Sequence, residues 1–386
     1  MDVSELQKLL IQILAAELNE SESDAVWTAD LTPDILPRLY EMAKKQDLAH
    51  IVSAFLYRRG LLSESEWLAK FNHEEIMAVY RYERMKYTYS QICEILNEAN
   101  IPFVPLKGMV IRALYPNAYM RTSCDIDILV RENQLDAATE AFRKEQYRIG
   151  ERSYHDVSMV SPSGMYVELH FTLREYIPAL DSVLERAWDY ATPVEGCRYA
   201  FTPAFFLFHI YAHMNYHFRK GGCGIQSLMD LWMMKSRSDV DVDAAEAAAL
   251  LQEAGIDQFA ACIDRLVEVC FAHAPSDELS ETLLTYIFNG EKFGTTQTRL
   301  AAQKVESKST VTYAVKRLFL PYRDMAVQFP VLKKVPILLP ACWMARLFRL
   351  AFPGKARKAV CELKTVGNVT AEQMAAVQDM FTRLGM

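Results

Sequence analysis

Cys124-Asp125-Ile126-Asp127-Ile128-Leu129-Val130 sets two carboxylates two residues apart at the head of an apolar, β-rich run. Side chains at i and i+2 of a strand share a face. Asp125 and Asp127 therefore converge on one point, while Ile126 and Ile128 turn the other way into a core. Two neighbouring carboxylates repel each other and lose hydration, and a divalent cation such as Mg²⁺, with its oxygen ligands, compensates that cost.

Upstream of this run, Phe103-Val104-Pro105-Leu106 reads as a short strand leading into Lys107-Gly108, and Met109 to Tyr115 as a helix stopped by Pro116-Asn117. Downstream, the pattern predicts a helix from about Gln134 to Gln146, a short run Tyr147-Arg148-Ile149, and two strands over His155 to Val160 and Met165 to Phe171. Ser161-Pro162-Ser163-Gly164 joins those strands with a link of hairpin length. The result is a β-α-β-α-β-β unit.

In the last strand Tyr166, Glu168 and His170 share one face, and Val167, Leu169 and Phe171 the other. A carboxylate on a strand otherwise suited to a core is costly unless it meets water, a donor or a metal. Set beside Asp125 and Asp127, Glu168 completes a three-carboxylate cluster able to hold two Mg²⁺ ions. The plainer reading makes Glu168 a salt-bridge partner of Arg121 or Lys107. Lys107-Gly108 supplies a cation and a close backbone approach at a strand end, followed by a helix start. Arg121 is a second cation, for a phosphate or for the carboxylates. His170 is placed to orient a carboxylate or an acceptor, or to serve the structure alone.

The order Leu106-Lys107-Gly108, Leu114-Tyr115-Pro116, Arg121, Asp125 to Val130 and Val167-Glu168-Leu169-His170 resembles the uncharacterised bacterial nucleotidyltransferases of the polymerase-beta-like superfamily. The likeness spans roughly residues 100–175 and, more loosely, the chain to about 235. It implies an α+β fold with a small mixed-sheet core flanked by helical regions. It also implies Asp125 and Asp127 as metal ligands, Glu168 as a third carboxylate able to assist as base, and Gly108 against a triphosphate. The expected activity is Mg²⁺-dependent transfer of an NMP group from an NTP to a hydroxyl of an unidentified acceptor. The wider superfamily usually carries Gly-Ser or Gly-Gly at this loop. Here Met109 follows Gly108, so that position offers no hydroxyl, and a catalytically inactive binding or regulatory protein is the alternative.

The rest of the chain is expected to divide into helical regions at 1–98, 181–300 and 301–386 around a core at 99–180. Candidate helices include Tyr80 to Ala99 and the stretches 203–218, 225–236, 243–254, 258–272 and 277–289, with a helix start at Thr32-Pro33-Asp34 after a polar break at 21–24. The balance of 51% apolar and 24% charged residues over 386 positions fits a globular protein with a sizeable core. The net charge of −7 excludes wholesale nucleic-acid wrapping, yet residues 301–358 hold twelve Lys/Arg against Glu306 and Asp324, a net +10 that leaves −17 for the remainder. That stretch points to an anionic partner (nucleotide, polyanion or membrane surface) or to a solvated helical face.

Eight scattered cysteines without a C-x-x-C pair, and an acidic N-terminus unlike a signal peptide, fit a cytoplasmic protein with no transmembrane segment. His209, His213 and His217 line one face of a predicted helix, but the outer two stand about 12 Å apart along its axis. They read as part of a helix packed over the active-site mouth rather than as a zinc site. Gly221 to Gly224 reads as a turn between helices, and Asp230 as a structural acid facing inward.

Overall fold

The computed structural model describes residues 2–20, 34–62, 66–290, 371–386 and, with gaps, 319–350. Helix α1 (Val3–Leu18) opens on a capping box in which Asp2 accepts from the Glu5 amide and Glu5 from the Asp2 amide. Helices α2 (Leu36–Lys45) and α3 (Ala49–Arg58) pack beside it. The polar break at 21–24, Thr32 and Pro33 lie outside the described residues; α2 carries proline in its first turn. Helix α4 (Leu68–Glu98) begins twelve residues before the expected Tyr80. Phe71, Ala78, Met85 and Ile92 bury one heptad-spaced stripe along it.

The α+β core follows, with α5 (Gly108–Ile111) and α6 (Leu135–Lys144) among strands β1 (Phe103–Pro105), β2 (Asp125–Val130), β3 (Arg148–Arg152), β4 (Asp156–Val160) and β5 (Tyr166–His170). After α7 (Pro178–Leu184) come β6 (Ala191–Glu195) and β7 (Arg198–Phe201), completing a seven-stranded mixed sheet ordered β3-β4-β5-β2-β1-β7-β6. The hairpin β6–β7 departs from the wholly helical reading after Asp181. Strand β6 is largely exposed and carries Pro193, Gly196 makes the turn, and β7 is half-buried. No alternating apolar pattern marks the hairpin, and its strand geometry comes from pairing with β1 at Phe103↔Arg198. The helix expected from Met109 to Tyr115 is also shorter, with α5 tightening into a 3₁₀ turn over Arg112–Leu114.

Two apolar cores sandwich the sheet. Ile126, Ile128 and Val130 of β2 meet Met85, Ile92 and Leu96 of α4 and Phe142 of α6 on one side. Val104, Leu106 and Leu129 join α1–α3 and the later helices on the other. Each fully buried Ile or Leu contributes roughly 1.5–3 kcal/mol, enough to hold Asp125 and Asp127 in place against their repulsion. The later helices are α8 (Pro203–Arg219), α9 (Ile225–Ser236), α10 (Ala244–Glu253), α11 (Asp257–Phe271) and α12 (Glu278–Gly290), with a further helix Ala371–Arg383. Thr202 caps α8 through the Phe205 amide, with Pro203 at its first position. Of the basic stretch, 301–318, 323–324, 327–328, 330 and 351–358 lie outside the described residues, while Leu339–Leu350 is a helix with Met344 exposed. Among the described residues no helix is long and apolar enough to cross a membrane.

Candidate active site

Strands β2 and β5 run parallel and adjacent, with Asp125 opposite Tyr166 and Asp127 opposite Glu168. The register puts Asp125, Asp127, Glu168 and His170 on one face, lining a cavity of about 370 Å³. The His170 imidazole lies 3.0 Å from Asp127 Oδ1 and 3.5 Å from Glu168 Oε2, and the donor atoms of these three residues all fall within 4.8 Å of one another. Asp125 lines the same cavity but stands outside that tight set. His155 stacks on His170 at 5.4 Å and approaches Asp156 at 3.3 Å.

The charges explain the protonation pattern. Burial works against an ionised Asp127, but Lys107 Nζ at 3.4 Å and His170 hold its carboxyl well below the usual range. Burial pushes the Asp125 carboxyl up, helped by the negative charges of Asp127 and Glu168. His170 is buried, which disfavours its cation, yet hydrogen bonds to Asp127 and Glu168 raise it to about 9. Clustered oxygen donors with an unfavourably ionised member fit a divalent cation: Asp127 and Glu168 lie close enough to share one, and Asp125 faces the same cavity from outside that tight set.

Lys107 sits in the turn between β1 and α5, and the Leu106 amide donates to the Asp127 carbonyl at 3.0 Å, tying this turn to β2. Gly108 packs tightly: a Cβ there would lie 3.2 Å from Ser123 Oγ and 3.4 Å from Arg112 Nη2. Arg112 donates to the Gly108 carbonyl at 2.6 Å and to Ser123 Oγ at 2.8 Å. Ser123 therefore brings a hydroxyl beside Gly108 even though Met109 cannot. Sequence reasoning overlooks it because the hydroxyl arrives from the β2 approach rather than from the loop. The only signal is its place two residues before Asp125.

Arg121 also lines the cavity, with its Nε held by both Asp230 oxygens at 2.8 and 3.0 Å. Asp230 further accepts from Tyr115 Oη at 2.6 Å, so this inward acid anchors the arginine. Glu168 is paired with neither Arg121 nor Lys107 among the described ion pairs; its near neighbour is His170. Helix α8 lines the cavity with His209, His213 and His217, and Gly224 lines it from the turn before α9. Glu175, beyond β5, faces the cavity as well and carries no sequence signal of its own.

The sequence model of a family described as "Uncharacterised nucleotidyltransferase" matches residues 35–272, more than half of the chain and all of the sheet and cavity. No curated protein and no solved structure matches the chain. With a parallel strand pair presenting acids over a lysine–glycine turn inside the matched span, the chain belongs to the uncharacterised nucleotidyltransferase family.

Proposed function

We propose that the protein is an Mg²⁺-dependent enzyme that transfers an NMP group from an NTP to a hydroxyl of an acceptor. The observation that carries this reading is the Asp127↔Glu168 register on parallel strands, with Asp125 on the same face and Lys107 beside Asp127. In this reading Asp125, Asp127 and Glu168 bind the metal, which supplies charge neutralisation at the α-phosphate and the departing pyrophosphate. Lys107, Gly108 and Ser123 receive the triphosphate, Arg121 adds a fixed cation, and His170 orients Asp127. Holding both reactants in one cavity removes translational freedom, a term worth several kcal/mol in such reactions.

Asp127→Asn keeps the volume of the side chain and removes its charge. We expect it to lower label transfer from α-labelled NTPs by at least about 10²-fold while leaving the circular dichroism spectrum unchanged. Full activity in that variant would sink the metal assignment. One observation favours the inactive alternative: Lys107 and His170 already neutralise Asp127 without a metal. Calorimetry with ATP, GTP, CTP and UTP plus Mg²⁺ decides, since silence with all four supports a protein that has lost turnover.

A further inference from the structure

A second cluster on the cavity wall is unused by the reading above. Glu175 Oε1 lies 3.4 Å from His213 Nδ1, and His213 Nε2 lies 3.0 Å from His217 Nε2. The loop carrying Glu175 is pinned, because the amides of Glu175 and Tyr176 both donate to Asp181 Oδ1 at 2.8 and 3.1 Å. One turn back on α8, His209 is 4% exposed, and its Nδ1 has no hydrogen-bond partner among the described residues. A buried polar atom left open on a cavity wall is unfavourable unless a ligand meets it.

With Glu175 ionised and both imidazoles neutral, the hydrogen bonds of this cluster have one consistent arrangement. His213 then donates through Nδ1–H to Glu175 Oε1, and its bare Nε2 accepts from the Nε2–H of His217. Both imidazoles are neutral in that arrangement. Burial, with Lys107 as the next cause, lowers His213 well below its ordinary value and His217 to about 4. His209 and His170 act on His213 in the same direction. The arrangement leaves Glu175 Oε2 without a hydrogen-bond partner among the described residues.

Resting on the nucleotidyltransfer reading, we propose that Glu175 is the general base for an uncharged alcohol acceptor bound under α8, positioned by His213 and His217. Glu168 would be poorly suited to that task as a metal ligand, because a bound cation lowers the basicity of its carboxylate. The acceptor oxygen forms its bond to the α-phosphorus as the bond from that phosphorus to the pyrophosphate oxygen breaks. The hydroxyl proton goes to Glu175 Oε2 and later to water, so NTP and alcohol are the only reactants consumed. Burial pushes the Glu175 carboxyl up to about 7, against the pull of Lys107, His170 and Lys220 and with the push of Asp181. A base of that strength suits proton transfer near neutrality. The acceptor is an uncharged alcohol because Phe206, Ile210 and Met214 line this side, the cavity cations Lys107 and Arg121 are assigned to the triphosphate, and Arg174 is paired with Glu185.

The test follows pyrophosphate release and label transfer from α-labelled ATP, GTP, CTP and UTP with Mg²⁺. Glycerol serves as the probe alcohol, beside the dialysable and retained fractions of a cell extract, which separate small-molecule from macromolecular alcohols. In the wild type the rate should rise with pH through about 7 and then level. Glu175→Gln should lose about 10²-fold or more together with that rising limb, yet still bind Mg·ATP in calorimetry. His213→Phe should keep the limb, displaced, at a lower rate. If Glu175→Gln retains rate and limb while Asp127→Asn is inactive, the base assignment falls and nucleotidyl transfer stands. If the wild type releases no pyrophosphate from any NTP, both fall. Should Glu175→Gln fail to fold, ¹⁵N spectra of the wild-type histidines decide. A neutral His213 protonated at Nδ1 supports the arrangement, and an imidazolium at pH 7.5 overturns it.

Discussion

Lys107 holds φ 44° and ψ −116°, a backbone region that glycine occupies freely and a side chain resists. The chain accepts this because the residue must turn sharply off β1 while its ammonium reaches Asp127. Such strain costs on the order of 1–3 kcal/mol, and it predicts an inverted ranking. Elsewhere alanine is the more stabilising residue; at position 107, Lys107→Gly should be more stable than Lys107→Ala by about 1–2 kcal/mol. Both variants lose the charge, so their difference isolates the backbone. Urea denaturation measures it, and an alanine variant equal to or above the glycine variant would refute the strain. Gly108 illustrates the opposite constraint. Its backbone is ordinary, and what crowds a larger residue is the pair of side-chain ends Ser123 Oγ and Arg112 Nη2, which would have to give way. Neither fact is legible in the sequence, where Lys-Gly is only a pair of common residues.

Among the elements, β2 and β5 are readable because their two-residue alternation separates acids from isoleucines, valine and leucine so cleanly that the shared face follows from strand geometry alone. Helices α8 to α12 are readable for the matching reason at helical spacing. The hairpin β6–β7 has no such internal pattern, and Glu175 draws its partner from α8, 38 residues further on. Asp230 shows how an element can be fixed from a distance. From α9 it accepts Arg121 Nε, and so anchors the segment between α5 and β2 that delivers Ser123 and Asp125. Removing one member of a buried ion pair typically costs about 3–5 kcal/mol, because the other charge is left without compensation. Arg121→Met should therefore destabilise by that amount, and adding Asp230→Asn should recover a large part of it. Strict additivity of the two changes in urea unfolding would show that the pair does not couple α9 to the site.

Across the whole molecule, the sheet draws its stability from outside the segment that holds the candidate-site motifs. Leu10, Phe55 and Leu56 share one core with Val104, Leu106 and Leu129 of the sheet and Phe205 and Phe208 of α8, and Met380 and Phe381 near the C-terminus join it. On the opposite face, Met85, Ile92 and Leu96 of α4 cover Ile126 and Ile128. Those three α4 side chains alone are worth roughly 5–9 kcal/mol, comparable with the total stability of a typical domain at about 5–15 kcal/mol. A fragment limited to 99–180 also lacks β7, and so leaves β1 an open edge. We therefore expect that fragment to give an undispersed ¹H–¹⁵N spectrum and no cooperative urea transition, whereas the full chain should unfold residues of α1, β2 and α8 in a single step. A dispersed spectrum from the isolated fragment would show that the motif-bearing unit folds by itself, and that the helices around it shape the cavity without supporting the sheet.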